Sequence, residues 1–365
     1  MRYHNTAFGK VFLMGHMVPF GRTRGAAAAI VILASLILSG PAAAGFGEAF
    51  ELYVAEEFDK ARRLVEPDAE RGNPAAQWLL GTMYLLGRGT DENPKAARAW
   101  LEKSASSNYP PAQAVLGRMY EQGIGGDRDA EEAHILYRMS AEQGYADAAY
   151  LLGRQYYRGE GVRKDGKQAI RWLTIAADDG NADAQYLGAR ILLTDEIVRS
   201  NPEQAATWLA DAARTGHAAA QLLYGNTLML GLAGDYDPTA ALDWIEKAAN
   251  TGLAEAQLRL GDLYNIGFQS KPDFKQAYEW WTRAATQADA AAQLRLARAH
   301  SKGAGTKEDP IAAYVWASLS ALQGNEDAFE LRKRILSRLT PEEIEKADRM
   351  VESRFKGRAN AGGES

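Results

Sequence analysis

Residues 148–161 read AAYLLGRQYYRGEG, and their three glycines raise the question of whether they form a phosphate-binding loop. A loop of that kind occurs once in a chain, after a strand and before a helix. This stretch instead recurs every 36 residues, as from Gly117 to Gly153. The residues in the register of Gly153 are Gly81, Gly117, Ala189, Gly225, Gly261 and Ala297. Because two copies carry alanine at this anchor position, the pattern favours a repeat in which the small residue serves packing.

A helical pattern surrounds each anchor. An alanine stands five residues before it in every copy, and an aromatic residue usually stands three residues after it, as Tyr156 does after Gly153. These offsets lie on one side of an α-helix. The alanines are Ala76, Ala112, Ala148, Ala184, Ala220, Ala256 and Ala292. The first half of each copy therefore predicts a helix that packs closely against a neighbour.

A second helix is predicted in each copy, with a bulky residue in a constant register. It begins after an Asn or Asp that is often followed by proline, which is the arrangement of an N-cap with proline at the first helical position. The bulky residues are Trp100, Leu136, Trp172, Trp208, Trp244, Trp280 and Trp316. The caps are Asn93, Asp129, Asp165, Asn201, Asp237, Asp273 and Asp309. Glycines such as Gly180 follow this helix, where the left-handed conformation is common.

Neither helix can bury its apolar stripe alone, so consecutive units must stack. The sequence therefore predicts an all-α, right-handed superhelical α-solenoid with about seven 36-residue helix-turn-helix repeats. The repeats occupy residues 74–324, after an N-terminal half-repeat over 45–73. Capping helices are predicted over 325–356 and a disordered tail over 357–365.

The first 44 residues have the pattern of a secretory signal peptide. Arg22 and Arg24 precede an apolar run of about 13 residues, and Ala42 and Ala44 form a small-x-small cleavage pattern. The run is shorter than the ~20 residues of a membrane-spanning helix. We expect cleavage near Ala44 and translation from Met17, which would open a signal of more ordinary length. The predicted location is periplasmic or secreted, with an inner-membrane anchor if the segment is not cleaved.

Net charge and cysteine content argue against several classes of function. The formal net charge of −5 argues against nucleic acid as the main partner, since no strong positive field attracts phosphates. The chain has no cysteine, which excludes disulfides, thiolate catalysis and thiolate zinc sites.

The pattern A-Q-x-x-L-G-x-x-Y-x-x-G-x-G, followed by D-x-x-x-A-x-x-W-x-x-x-A-A-x-x-G, resembles the Sel1-like repeat family of the tetratricopeptide superfamily. The resemblance covers residues 57–338. The sequence departs from it at Ala189, Ala297 and Leu136, and in the turns over 194–199 and 232–235. The resemblance implies a scaffold or adaptor for other proteins, and exported bacterial members act in secretion, motors, envelope signalling and host interaction.

The sequence offers no catalytic set. His134, His217 and His300 fall in different repeats, and no HExxH or G-x-S-x-G motif occurs. His300 occupies the tyrosine register, which favours a packed side chain. The recurring aspartates are expected to serve as helix caps. We therefore predict a protein that is not an enzyme and that uses no cofactor or metal.

One feature is not explained by packing. The residue after the anchor is often arginine, and in a tetratricopeptide-like array it would lie on the first helix, which lines the concave face. An arginine and tyrosine strip could bind an acidic or carboxylate-bearing segment of a partner. A solvated helix face that happens to favour arginine is the alternative. The predicted partner-binding residues are Arg118, Arg154, Arg190, Arg298, Tyr150, Tyr157 and Tyr186.

The leading hypothesis is a non-catalytic exported scaffold that binds another envelope protein, either to assemble a complex or to regulate a sensor. Two alternatives remain. The first is a β-lactam-binding or β-lactam-hydrolysing enzyme, since one subgroup of cysteine-rich Sel1-like proteins is linked to these activities, although this chain lacks cysteine. The tyrosines could also bind a polysaccharide.

Overall fold

The computed structural model describes residues 41–194, 200–232 and 236–361, and the side chains of residues 45–354 within those ranges. The predicted signal segment up to residue 40, including Met17, lies outside the described residues. So do most of the two irregular turns and the last four residues of the predicted tail.

The chain divides into two compact units, Met1–Ser200 and Asn201–Ser365. The described residues contain eighteen α-helices and no strand. Unit 1 contains α1 (Pro41–Val54), α2 (Phe58–Glu70), α3 (Pro74–Leu86), α4 (Pro94–Ser106), α5 (Pro110–Gln122), α6 (Ala130–Glu142), α7 (Ala146–Arg158), α8 (Gly166–Asp178) and α9 (Ala182–Thr194). Unit 2 contains α10 (Pro202–Arg214), α11 (Ala218–Leu230), α12 (Pro238–Asn250), α13 (Ala254–Ile266), α14 (Phe274–Thr286), α15 (Ala290–Lys302), α16 (Pro310–Ala321), α17 (Glu326–Leu336) and α18 (Pro341–Ala361).

Each unit is a series of stacked helix pairs, which confirms the predicted all-α solenoid class. The predicted caps are also confirmed. In α8, for example, the side chain of Asp165 accepts hydrogen bonds from the backbone N–H groups of Lys167 and Gln168, at 2.9 and 3.0 Å. A cap of this kind stabilises a helix by about 1 kcal/mol. The seven predicted Asn and Asp residues all accept such a bond.

The anchor glycine brings the two helices of a repeat together. A Cβ atom on Gly153 would lie 2.8 Å from Cγ of Leu173 and 3.1 Å from the carbonyl oxygen of Ala169, both on the second helix. The close approach leaves room for hydrogen but little for a methyl group. The glycine thus has the packing role that its register predicts.

The second glycine of the turn joins a repeat to the preceding one. Gly161 has a φ of +69°, and a Cβ atom there would overlap the carbonyl group of Ala130 at the start of α6. Glycine is favoured on both counts, because it accepts positive φ and lets two backbones approach.

A recurrent glutamine also links neighbouring helix pairs. Gln185 on α9 donates its side-chain N–H to the carbonyl oxygen of Ala177 on α8, at 3.1 Å. Carbonyl groups in the last helical turn lack the regular i+4 partner, and the glutamine adds a donor to the backbone N–H that Ala177 accepts from Gly180. The same bond is formed by Gln77, Gln113, Gln221, Gln257 and Gln293.

Both ends of the array differ from the sequence-based expectation. Residues 41–70 form a complete helix pair rather than half a repeat, because Phe46, Phe50 and Tyr53 of α1 supply a buried apolar face without the alanine and glycine motif. At the other end, α18 continues through Ala361 into the segment expected as a disordered tail.

Candidate functional site

The predicted partner-binding residues lie on the first helices of their repeats. Arg118, Arg154 and Arg190 belong to α5, α7 and α9 of unit 1, and Arg298 belongs to α15 of unit 2. We call these four residues the arginine strip. All four are half-buried. Their surroundings differ, and the differences decide which of them can receive a ligand.

Arg154 is committed to an internal ion pair. Its Nη2 lies 2.6 Å from Oε2 of Glu121, a buried carboxylate on α5 that also accepts a hydrogen bond from the Tyr137 hydroxyl at 3.2 Å. Burial would lower the pKa of Arg154, but the charge and hydrogen bond of Glu121, together with the nearby Tyr150 and Tyr137, raise that pKa overall. Burial, together with Glu121, raises the pKa of Tyr137. The guanidinium of Arg154 therefore holds two neighbouring repeats together.

Arg118 lies close enough to the half-buried carboxylate of Asp147 on α7 to influence its charge. Burial raises the pKa of Asp147 to about 6, against a lowering influence of Arg118 and of the side-chain amide of Asn181. Asn181 donates to Asp147 at 3.2 Å and caps α9 by accepting from the N–H of Ala184 at 2.9 Å. This cluster joins the starts of α7 and α9.

Arg298 is paired as well, although near the surface. Its Nη2 lies 2.7 Å from Oδ2 of Asp327, the first-turn carboxylate of α17, with side-chain exposures of 42% and 71%. An ion pair this exposed contributes little to stability, but it neutralises the guanidinium.

Arg190 has a different environment. Its guanidinium carbon lies 5.8 Å from the ring centroid of Tyr157 and 5.7 Å from that of Tyr186. Among the described residues it has no carboxylate partner. The reason is visible in the register: Glu121 precedes Arg154 by the same 33 residues by which Tyr157 precedes Arg190. An aromatic ring thus occupies the place where Arg154 finds its carboxylate.

The structure adds a residue that the sequence analysis missed. Lys164, exposed in the turn before α8, has its Nζ 5.5 Å from the ring centroid of Tyr157. Two cations therefore lie near one tyrosine ring. Tyr150, the third predicted tyrosine, lies instead beside Arg154, 5.9 Å from its guanidinium carbon. No signal in the sequence identifies Lys164, because its position just before the Asp165 cap does not show that it lies beside the Tyr157 ring.

The histidines have structural contacts in different places. Nδ1 of His134 lies 3.2 Å from the side-chain oxygen of Gln155, and Nε2 of His300 lies 3.2 Å from the Tyr278 hydroxyl. Burial lowers the pKa of both imidazoles. His217 caps α11 by accepting from the N–H of Ala220 at 3.0 Å.

No three histidine or acidic side chains within the described ranges lie close enough together to hold a metal ion. None of the helices in that part of the chain is both long and apolar enough to cross a lipid bilayer.

Comparison with known proteins identifies the repeat and agrees with the fold. The family model described as Sel1 repeat matches seven consecutive segments, 74–109, 110–145, 146–181, 182–217, 218–253, 254–289 and 290–325. No curated protein sequence matches the chain.

Many solved structures are similar to the chain, among them two from bacteria. A Sel1 repeat protein from Oxalobacter formigenes is 29% identical with a TM-score of 0.60, over 66% of this chain and 96% of that one. The protein c5321, described as a protective antigen of uropathogenic Escherichia coli strains, is 24% identical with a TM-score of 0.53, over 86% of this chain and 76% of that one. The second likeness concerns the fold alone.

Proposed function

Because the chain belongs to the Sel1 repeat family, whose members are generally non-catalytic scaffolds for protein interactions, we propose that it is an exported scaffold of the cell envelope. In this proposal it binds another envelope protein through the first helices of unit 1, and so assembles an envelope complex or regulates an envelope sensor. The observation that carries the proposal is the state of Arg190. It is a half-buried guanidinium near two tyrosine rings, with no carboxylate partner among the described residues.

The contrast within the arginine strip supports a binding role for this place. Arg154 and Arg298 already have carboxylate partners at 2.6 and 2.7 Å, and Arg118 lies near Asp147. Arginine and tyrosine are enriched among the residues that dominate protein interfaces, since both offer large contact areas and directional hydrogen bonds. A surface of this composition suits a protein partner.

The uses found for the other polar residues support a non-catalytic role. The recurring Asn and Asp residues cap helices, as Asp165 does, and the recurring glutamines bond to backbone carbonyl groups. His134 and His300 are buried against polar neighbours. These groups have structural partners, so the proposal assigns none of them to acid–base catalysis.

Export is the part of the proposal that rests on the sequence of residues 1–44. A fusion of this segment to a reporter enzyme that is active only in the periplasm should give activity. Replacement of both Arg22 and Arg24 by glutamate should abolish this activity, because the positive start orients a signal peptide. Reporter activity that persists without residues 1–44 would contradict the proposal.

A photo-crosslinking residue in place of Tyr186 tests the binding surface in living cells. We expect a discrete crosslinked product with one envelope protein, identified by mass spectrometry and competed by excess mature protein. The matched control places the same residue at Lys167, which is exposed on the second helix α8 of the same unit. Identical products from both positions, or none from Tyr186, would refute binding at the first helices.

A further inference from the structure

We propose that Arg190 and Lys164 form a subsite for two neighbouring carboxylates of an acidic peptide segment. Lys164 lies before helix α8 in the sequence and Arg190 after it, and both approach the ring of Tyr157. This inference rests on the proposed scaffold function and names the chemistry of the partner at that surface. Lys164 is exposed and Arg190 half-buried, so one carboxylate would contact each cation.

The distances define the subsite. The Arg190 guanidinium carbon and the Lys164 Nζ lie 5.8 and 5.5 Å from the Tyr157 ring centroid. The face of a tyrosine ring attracts a cation but does not neutralise it. Both cations lie within 5.8 Å of the same ring centroid, so in this proposal two adjacent acidic side chains of one peptide contact them.

Two acidic residues that flank Lys164 in the described turn already have other contacts. Glu160 lies 3.7 Å from Arg158, and Asp165 accepts the backbone N–H groups at the start of α8. Glu121, which neutralises Arg154 one repeat earlier, has no counterpart here because Tyr157 takes its register. Within the described ranges, neither Arg190 nor Lys164 has a carboxylate partner, and in this proposal their charge is available to a ligand.

The chemistry favours a short acidic peptide over other anions. The planar guanidinium binds a carboxylate through two parallel hydrogen bonds, and the rings of Tyr157 and Tyr186 offer rigid area for the peptide beside it. A long polyanion such as nucleic acid would meet the rest of an acidic chain, with a net charge of −5, and would be repelled. A few residues of peptide would contact only the local positive site.

The test uses the full mature chain and synthetic fluorescein-labelled peptides, with binding followed by fluorescence anisotropy at low and physiological salt. The probes are Gly-Glu-Glu-Gly amide, Gly-Gln-Gln-Gly amide and Gly-Gln-Gln-Gly with a free C-terminus. The glutamate peptide should bind more tightly than the glutamine amide, and added salt should weaken it. Binding of the free-carboxylate peptide alone would assign the site to a chain terminus and would overturn the two-carboxylate inference. Equal binding of all three peptides would overturn it as well.

Variants locate the binding. Arg190→Ala should lower the affinity for the glutamate peptide about tenfold, and Lys164→Ala should lower it about threefold, because each variant removes one charged contact. Lys167→Ala is the matched control, because it removes an exposed positive charge from the second helix α8 of the same unit and should leave affinity unchanged. Circular dichroism must show the same helix content and melting midpoint in the three variants. An Arg190→Ala protein that is folded and binds normally would overturn the inference.

The two proposals can fail separately. Absence of a crosslink from position 186, in a chain with no other change, would contradict the scaffold function. A crosslink that persists unchanged in an Arg190→Ala, Lys164→Ala double variant would leave the scaffold function standing and remove the carboxylate subsite.

Discussion

Nη2 of Arg154 lies 2.6 Å from Oε2 of Glu121, and this ion pair joins the first helices of two neighbouring repeats in unit 1. Both side chains are largely shielded from water, with exposures of 18% and 9%. A pair of this kind is costly to break, because the remaining charge stays buried without its partner. The ion pair therefore gives Arg154 a structural role within the arginine strip.

Glu121→Gln tests this structural role. We expect a loss of about 3 kcal/mol in the free energy of unfolding, since the variant leaves the Arg154 charge buried and unneutralised. Urea unfolding followed by circular dichroism measures the loss. Glu308→Gln is the control, because it breaks the exposed pair of Glu308 with Arg338 and should cost less than about 1 kcal/mol. Equal losses in the two variants would contradict the assignment.

Asp147 should make stability depend on pH in an unusual direction. Burial raises the pKa of this carboxyl to about 6 in the folded chain, from an ordinary value of 3.8. The folded state therefore binds the proton more tightly than the unfolded state. The stabilisation is fully present below about pH 4 and is lost as the pH rises through about 6.

Asp147→Asn should remove this dependence. The variant lacks the buried charge, so its unfolding free energy at pH 7 should rise by up to about 3 kcal/mol relative to the parent, with a flatter profile between pH 4 and pH 6. Thermal unfolding across this range is the measurement. Asp178→Asn, at an exposed position of α8, should leave the profile unchanged. A parent profile that rises with pH through this window, without the same rise in Asp147→Asn, would reject the prediction.

Gly161→Ala should destabilise the protein more than Gly180→Ala. Both glycines have positive φ, at +69° and +88°, so alanine at either costs about 1–2 kcal/mol in the left-handed region. Only at Gly161 would the added methyl also overlap the backbone of Ala130, whereas nothing lies within 4 Å at Gly180. We expect an extra loss of about 1–3 kcal/mol at Gly161 in chemical denaturation. Similar losses at both sites would show that the repeats are not in close backbone contact there.

Asp165→Ala should cost about 1 kcal/mol, because the N–H groups of Lys167 and Gln168 lose their common acceptor. Asp165→Asn keeps an acceptor oxygen and should cost less. The melting midpoints of the two variants provide the comparison. If the asparagine variant melts as low as the alanine variant, the capping role of the side-chain oxygen is wrong.

The repeat architecture could be predicted because it depends on local and periodic features. The alanine and glycine spacing around Gly153 and the cap at Asp165 each describe contacts within one or two helices, and the structure confirms both. Of the first helix pair, the sequence predicted only half a repeat, whereas the structure contains both α1 and α2. Phe46 and Phe50 bury their side chains at a spacing that the repeat motif does not contain.

The candidate site was predicted as a set of arginines and tyrosines that could bind a carboxylate, but the sequence did not show which arginines already have a carboxylate partner. The register identified Arg118, Arg154, Arg190 and Arg298 together, as if they were equivalent. It could not distinguish them, because a charge partner 33 residues away lies on another helix, and its contact depends on how two repeats pack.

From the sequence alone follow the helix pairs, their caps, their glycine turns and the membership of the repeat family, since a period of 36 residues repeats the same short-range preferences. Only the tertiary structure decided that Glu121 neutralises Arg154, that Tyr157 stands in the same place beside Arg190, and that Lys164 reaches that ring. These are contacts between side chains distant along the chain, and their energies depend on burial and distance, which no periodicity records.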